Sequence, residues 1–263
     1  MERTGVWIAG TIALIAAVLG GYAWWKNSQA PVAVDQPPVV ETAATPAPAP
    51  PAPTIEHPIE PAAKAEPAPP PSVDASDPAL VQELAALFPS GRVPDFVVPQ
   101  NLIRNLVATI DNLPREKTAY RLMPIRPAGG SFETVPGGES VAIAPGNAAR
   151  YAPTIALVER VNAKQLASLY KRFYPLFQQA YVELGYPTGY FNDRLVAVID
   201  HLLATPDVAG PIELVQPKVL YRFADPQLEA LSVGQKGMIR IGPVNAAKLK
   251  LKLRELREEV AKR

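Results

Sequence analysis

The chain predicts a mainly α fold with a small antiparallel β component (α+β). A single-pass N-terminal transmembrane helix and a disordered Pro/Ala-rich linker are expected to precede it. Three observations carry that reading. Residues 5–25 hold no charged side chain. Residues 27–75 are dominated by Pro and Ala. From Ser76 onward, apolar residues recur mostly at helical spacing, interrupted by short β-prone arms around turn residues. The expected organisation is an anchor at 1–26, a linker at 27–75 and one globular domain at 76–263.

The first element is "GVWIAGTIALIAAVLGGYAWW". At 1.5 Å rise per residue this run spans roughly 30 Å, the thickness of a bilayer core. Trp24 and Trp25 stand at one end, where indoles favour the headgroup region. A cleaved signal peptide ending at "SQA" is the rival reading. The run is longer than a usual signal core, and Pro31 would follow the cut. An uncleaved anchor in the bacterial inner membrane is expected. Arg3 and Lys26 nearly balance, so orientation rests on the Ala/Pro tract, which suits an exported stalk. The N-terminus is placed in the cytoplasm and the body in the periplasm. Gly5, Ala9, Ala13, Ala17 and Gly21 repeat every four residues, so a helix here carries one smooth face. The stripe reads either as a chance feature of an Ala/Gly-rich span or as a face through which two copies pair.

The linker cannot bury enough apolar surface to fold, and its prolines favour polyproline II. It reads as a spacer, and His57, between Glu56 and Pro58, as solvated.

The body opens with "SDPALVQELAALFPSG", a short helix capped by Asp77, with Pro78 at its first position. "QNLIRNLVATIDNLPR" follows, with Leu102, Ile103, Leu106, Val107 and Ile110 on one face and Pro114 as its stop. "SFETVPGGESVAI" reads as a hairpin around Pro136-Gly137-Gly138. "NAARYAPTIALVERV" reads as a short helix. Asn162 caps a long amphipathic helix whose buried face runs from Leu166 to Leu184. Pro175 lies inside it and predicts a kink or break, since an interior proline costs about 3 kcal/mol. Gly185 and Pro187 end it, Thr188-Gly189 turns, and a second helix follows with Leu195, Ile199 and Leu202 inward. "GPIELVQPKVLYRF" predicts two strands split near Pro217. "DPQLEALSVGQKGMIRIG" predicts a capped helical stretch with Gly237 as its weak point. "PVNAAKLKLKLRELREEVAKR" predicts a final helix with Leu249, Leu253, Leu256 and Val260 on one seam.

Composition excludes several functions. Without Cys there is no disulfide, thiol catalysis or Cys-based metal site. His57 and His201 are the only imidazoles, and only His201 lies in the expected domain. Net charge is +1, which gives no bulk attraction to nucleic acid. No phosphate-binding Gly loop or nucleophile elbow is present. No cofactor and no metal are expected.

The richest stretch is "ELGYPTGYFNDRLVAVIDHLL", Glu183 to Leu203. Helix capping accounts for Asn192, and complementing the helix dipole accounts for Asp193. Glu183 and Asp200 put negative charge in the last turns of their helices, where the dipole disfavours it. Pairing with Lys or Arg elsewhere in the fold is the ordinary explanation for both. Glu183 is a weak catalytic candidate, with Asp193 its natural partner for acid–base work. Tyr174, Tyr181, Tyr186, Tyr190, Asp200 and His201 are binding candidates. The aromatic cluster reads either as a core where two helices meet or as a groove for sugar rings or a partner segment.

Several strings are familiar. "NAARYAP" (Asn147–Pro153), "YPLFQQAYVELGYP" (Tyr174–Pro187), "YFNDRLVAVIDHLLATP" (Tyr190–Pro206) and "FADPQLEALSVGQK" (Phe223–Lys236), with "IDNLPR" (Ile110–Arg115), resemble the bacterial domain of unknown function 3014 family. The resemblance implies membrane-anchored proteins with a variable Pro-rich linker. It brings no activity and no catalytic residues. The leading expectation is therefore a non-catalytic binding or scaffold domain in cell-envelope organisation, its partner an envelope protein or glycan. The second is an envelope-glycan (peptidoglycan) hydrolase using Glu183 and a Tyr-rich groove.

Overall fold

The computed structural model describes residues 54–60, 72–88, 95–117, 120–137 and 140–262. The expected transmembrane helix and its smooth face lie outside them. No helix among the described residues is long and apolar enough to cross a membrane. The described body is mainly helical with a small antiparallel sheet, as composition and periodicity predict.

Helix α1 (Asp77–Ala86) starts where Pro78 suits the first turn. Asp77 does not cap its own helix. Its carboxylate accepts from the N–H groups of Asn101 (2.6 Å) and Leu102 (2.8 Å) and so caps α2 (Leu102–Asn112). Helix α2 buries Leu102, Ile103 and Val107. Strands β1 (Thr134–Pro136) and β2 (Val141–Ile143) form the expected antiparallel pair. Helix α3 (Asn147–Arg160) is longer than a short helix and contains Pro153. Asn162 accepts from the Gln165 N–H at the start of α4 (Ala163–Glu183), and α5 (Phe191–Leu203) follows after Gly185 at φ +115°.

Pro175 does not break α4, which runs unbroken from Ala163 to Glu183. Phe173, Tyr174, Leu176 and Phe177 are all buried around the proline. A buried large side chain contributes about 1.5–3 kcal/mol, so four of them outweigh one interior proline.

Strands β3 (Glu213–Val215) and β4 (Arg222–Phe223) complete a sheet of order β1-β2-β3-β4, in which Val141 pairs with Leu214. Leu214 and Phe223 bury against Ile239. The next stretch is two helices, α6 (Pro226–Glu229) and α7 (Val233–Arg240), each with its own cap at Asp225 and Ser232. The helical run is thus interrupted before Val233, whereas Gly237 lies inside α7. Helix α8 (Pro243–Val260) packs on α3, α4 and α5. Lys250 on α8 is buried. Its buried ammonium donates to Thr205 O (2.7 Å) and to Asp207 (2.8 Å).

The end of α2 and the start of α7 satisfy one another. Gly234 N–H donates to Leu113 O (2.9 Å) and Val233 N–H to Arg115 O (2.8 Å). These would otherwise be orphan groups of two helix ends. The contact needs Gly234, because an added Cβ would lie 2.7 Å from Leu202 Cδ2 and 2.9 Å from Leu113 O. Gly234→Ala is therefore expected to destabilise by about 1–3 kcal/mol through overpacking. Gly237→Ala, where a Cβ meets nothing within 4 Å, is expected to stabilise by up to about 1 kcal/mol. Urea unfolding of both variants checks the pair, and equal effects would contradict the contact.

Candidate functional site

The stretch from Glu183 to Leu203 leaves α4, turns, and enters α5. The structure disperses the candidates it holds. Glu183, exposed at the end of α4, accepts from Gln179 (2.9 Å) and from Arg104 (2.8 Å and 3.1 Å). Arg104 also reaches Asp74. The Gln179 amide and then the Arg104 guanidinium hold the Glu183 carboxyl below the ordinary carboxylate range. A general acid needs the opposite displacement. Asp200 accepts two bonds from Arg257 (2.5 Å and 2.9 Å). Both carboxylates that sit against a helix dipole thus have an arginine from another helix, the explanation their positions suggested. His201 Nε2 lies 2.8 Å from Ser232 Oγ, within the capping box of α7.

Tyr174 and Tyr181 lie in the main core, while Tyr186 and Tyr190 are half-buried at its edge. The rings make a contiguous set: Tyr181 stacks on Tyr186 (4.5 Å between centroids), Tyr174 meets Tyr190 at 5.4 Å, and Phe177 stacks on Phe191. Burial pushes the Tyr170 and Tyr174 phenols well above the usual tyrosine range. They act as neutral hydrogen-bonding groups. The Tyr170 hydroxyl donates to Asn192 Oδ1 and the Tyr174 hydroxyl to Gln178 Oε1. The cluster is core first, with a half-buried edge at Tyr186 and Tyr190.

Asp111, which the sequence did not mark, and Asn192, read there as a helix cap, stand beside this edge. Asp111, buried on α2, accepts from Arg194 Nε (2.9 Å), an Arg115 nitrogen (2.6 Å) and the Tyr186 hydroxyl (3.1 Å). Arg194 also donates to the Asp111 carbonyl at 2.7 Å. This network ties α2, the 184–190 turn and α5 together. Asn192 is not the helix cap; Tyr190 takes that position. The Asn192 side chain turns inward, fully buried, and donates to Val260 O (2.9 Å) and His57 O (2.8 Å).

His57 is accordingly not solvated. Residues 54–60 lie along the start of α5. The Glu56 and His57 N–H groups donate to the two carboxylate oxygens of Asp193 at 3.1 Å and 2.7 Å. The Ile59 N–H donates to the Tyr190 hydroxyl at 2.7 Å, and the Ile59 side chain packs on the main core. Asp193 does stand in the first turn of α5, as dipole complementarity predicts, but its oxygens also hold another part of the chain.

Behind the aromatic edge is a cavity of about 290 Å³. Leu80 and Leu84 of α1, Leu106 and Ile110 of α2, Leu166 and Tyr170 of α4, Phe191 and Leu195 of α5, and Leu256 and Val260 of α8 line it. Ile125, half exposed, stands in its wall. The walls are apolar throughout among the described residues. The apolar faces of five helices meet there. Among the described residues no cluster of three or more His, Asp or Glu could hold a metal ion.

A family model described as "Protein of unknown function (DUF3014)" matches residues 102–257. No curated protein and no solved structure matches the chain. The match takes in α2 to most of α8, hence the Asp111 network, the aromatic cluster and most of the cavity wall. It leaves out residues 54–60.

Proposed function

Since the chain belongs to the DUF3014 family of proteins of unknown function, we propose that it is a non-catalytic, membrane-anchored binding protein of the bacterial envelope whose body takes an aliphatic chain. The apolar cavity is the observation that carries this reading. Covering such apolar walls contributes about 25 cal/mol for each Å² removed from water. Water gains little there, because it finds no hydrogen-bonding partners on apolar walls. A saturated chain, as in a lipid or fatty acid, supplies dispersion contacts and needs no polar partner. The anchor at residues 5–25 would hold the body beside a source of such chains. The N-terminus would face the cytoplasm and the body the periplasm. The face of Gly5, Ala9, Ala13, Ala17 and Gly21 would pair two copies within the bilayer.

The hydrolase reading asks Glu183 to donate a proton, yet Gln179 and Arg104 favour its charged form. The test uses the full chain in lipid nanodiscs with a photoreactive fatty acid. Mapped crosslinks are expected at Leu106, Ile125 and Leu166, and Leu106→Trp should remove most of them by filling the cavity. Labelling confined to residues 5–25, or unchanged in Leu106→Trp, would overturn the reading. So would release of products from peptidoglycan fragments that disappears in Glu183→Gln.

A further inference from the structure

Residues 54–60, "TIEHPIE", stand inside a Pro/Ala tract and outside the family match, yet the body grips them closely. Of the four residues from Glu56 to Ile59, only Pro58 has no N–H. The other three N–H groups are all taken: two by Asp193 and one by the Tyr190 hydroxyl. The His57 carbonyl accepts from the Asn192 amide. Ile59 supplies an apolar anchor against the core. Fixed polar groups that read a main chain bent at Glu56 and His57, plus a place for one side chain, are the parts of a peptide-recognition site.

The receptor side is built into the body. Asn192 is fully buried, and its oxygen and nitrogen are oriented by Tyr170 and Val260. Tyr190 is supported by the ring of Tyr174. Eleven residues, 61–71, separate the held segment from Ser72.

We propose that Tyr190, Asn192 and Asp193 form a peptide-binding site, filled in cis by residues 54–60. A partner carrying a segment of the same chemistry, able to bend in the same way, would take it in trans. That chemistry is two free N–H groups, then proline, then an aliphatic residue, as in Glu-His-Pro-Ile. The cis segment competes with any such partner. A short covalent tether gives a cis ligand an effective concentration on the order of mM, so a partner must out-compete it or act when it is displaced. This inference is independent of the cavity and of its ligand.

The test uses the full chain and an end-capped peptide of sequence TIEHPIE carrying a fluorophore. Ile59→Asp should displace the cis segment and leave the receptor groups intact. Binding to Ile59→Asp is expected to be about tenfold tighter than to the unmodified chain, the factor that a competitor at about 1 mM imposes on a site of about 0.1 mM affinity. Adding Asp193→Ala to Ile59→Asp should abolish it. A scrambled peptide should not bind either form. If Ile59→Asp fails to fold, or folds and does not bind the peptide, residues 54–60 are a fixed part of the fold and the proposal is overturned. Labelling of the cavity by the photoreactive fatty acid is read separately, so failure of one idea leaves the other standing.

Discussion

Asp111→Ala is expected to lower the unfolding free energy by about 2–4 kcal/mol. Removing one member of a buried ionic cluster costs roughly 3–5 kcal/mol, because the partners are left uncompensated. The lower end applies here, since the Arg194 and Arg115 side chains are 29% and 52% exposed and can return to water. The carboxylate itself is 3% exposed and holds two cations and the Tyr186 phenol. The loss should fall on the junction of α2 with α5 and with the 184–190 turn. A double-mutant cycle with Arg194→Ala should return a coupling of about 1–3 kcal/mol, as expected for groups in one network. Near-UV circular dichroism of the tyrosines follows the body cleanly, because all three Trp lie between residues 7 and 25. A loss below about 1 kcal/mol would mean that the network does not hold these elements.

Phe191→Ala is expected to cost about 3–5 kcal/mol, the usual price of deleting a buried aromatic ring. Phe191 is 0% exposed, stacks on Phe177 at 5.8 Å and leans on Tyr181 at 5.4 Å. It also lines the cavity, so the deletion joins a new void to an existing one. Phe177 and Tyr181, which it touches, are fixed on α4, which leaves little scope for collapse. A saturating fatty acid should recover part of the lost stability by occupying the enlarged space. Urea unfolding with and without the fatty acid measures both terms. No recovery would count against the cavity as the ligand site.

Much of the fold was legible because local rules and tertiary packing agree there. The 3.6-residue spacing of Leu102, Ile103, Leu106, Val107 and Ile110 marks the buried side of α2 directly. Asn162, Gly185 and Asp225 end or start helices through backbone chemistry that needs no distant partner. The exceptions are places where a distant partner decides. Pro175 obeys its local rule only until four buried neighbours outweigh it. Lys250 looks solvated in a run of alternating Lys and Leu, yet Thr205 and Asp207 reach it from across the fold.

The candidate site was less legible for the same reason. Asp111 carried a signal that was passed over: an acidic residue next to the apolar stripe of α2 needs a cation. Asn192 looks like a cap because Asn often is one. The cap falls two residues earlier, at Tyr190, and that shift turns the Asn192 amide into the core. Residues 54–60 were hidden by composition. Averaged over the surrounding Pro and Ala they vanish, although two Ile and a His within five residues are foreign to such a tract.

The sheet has a kinetic consequence. β1 pairs with β2, and β3 with β4, over short spans of chain. The β2–β3 pairing instead joins Val141 to Leu214, with α3, α4 and α5 lying between them in sequence. Long-range pairings form slowly because loop closure precedes their reward. The two hairpins can therefore exist early as separate pieces, while the four-stranded sheet closes only after those helices have collapsed on one another. Until then the facing edges of β2 and β3 are unpaired, the most aggregation-prone moment in the folding of this body.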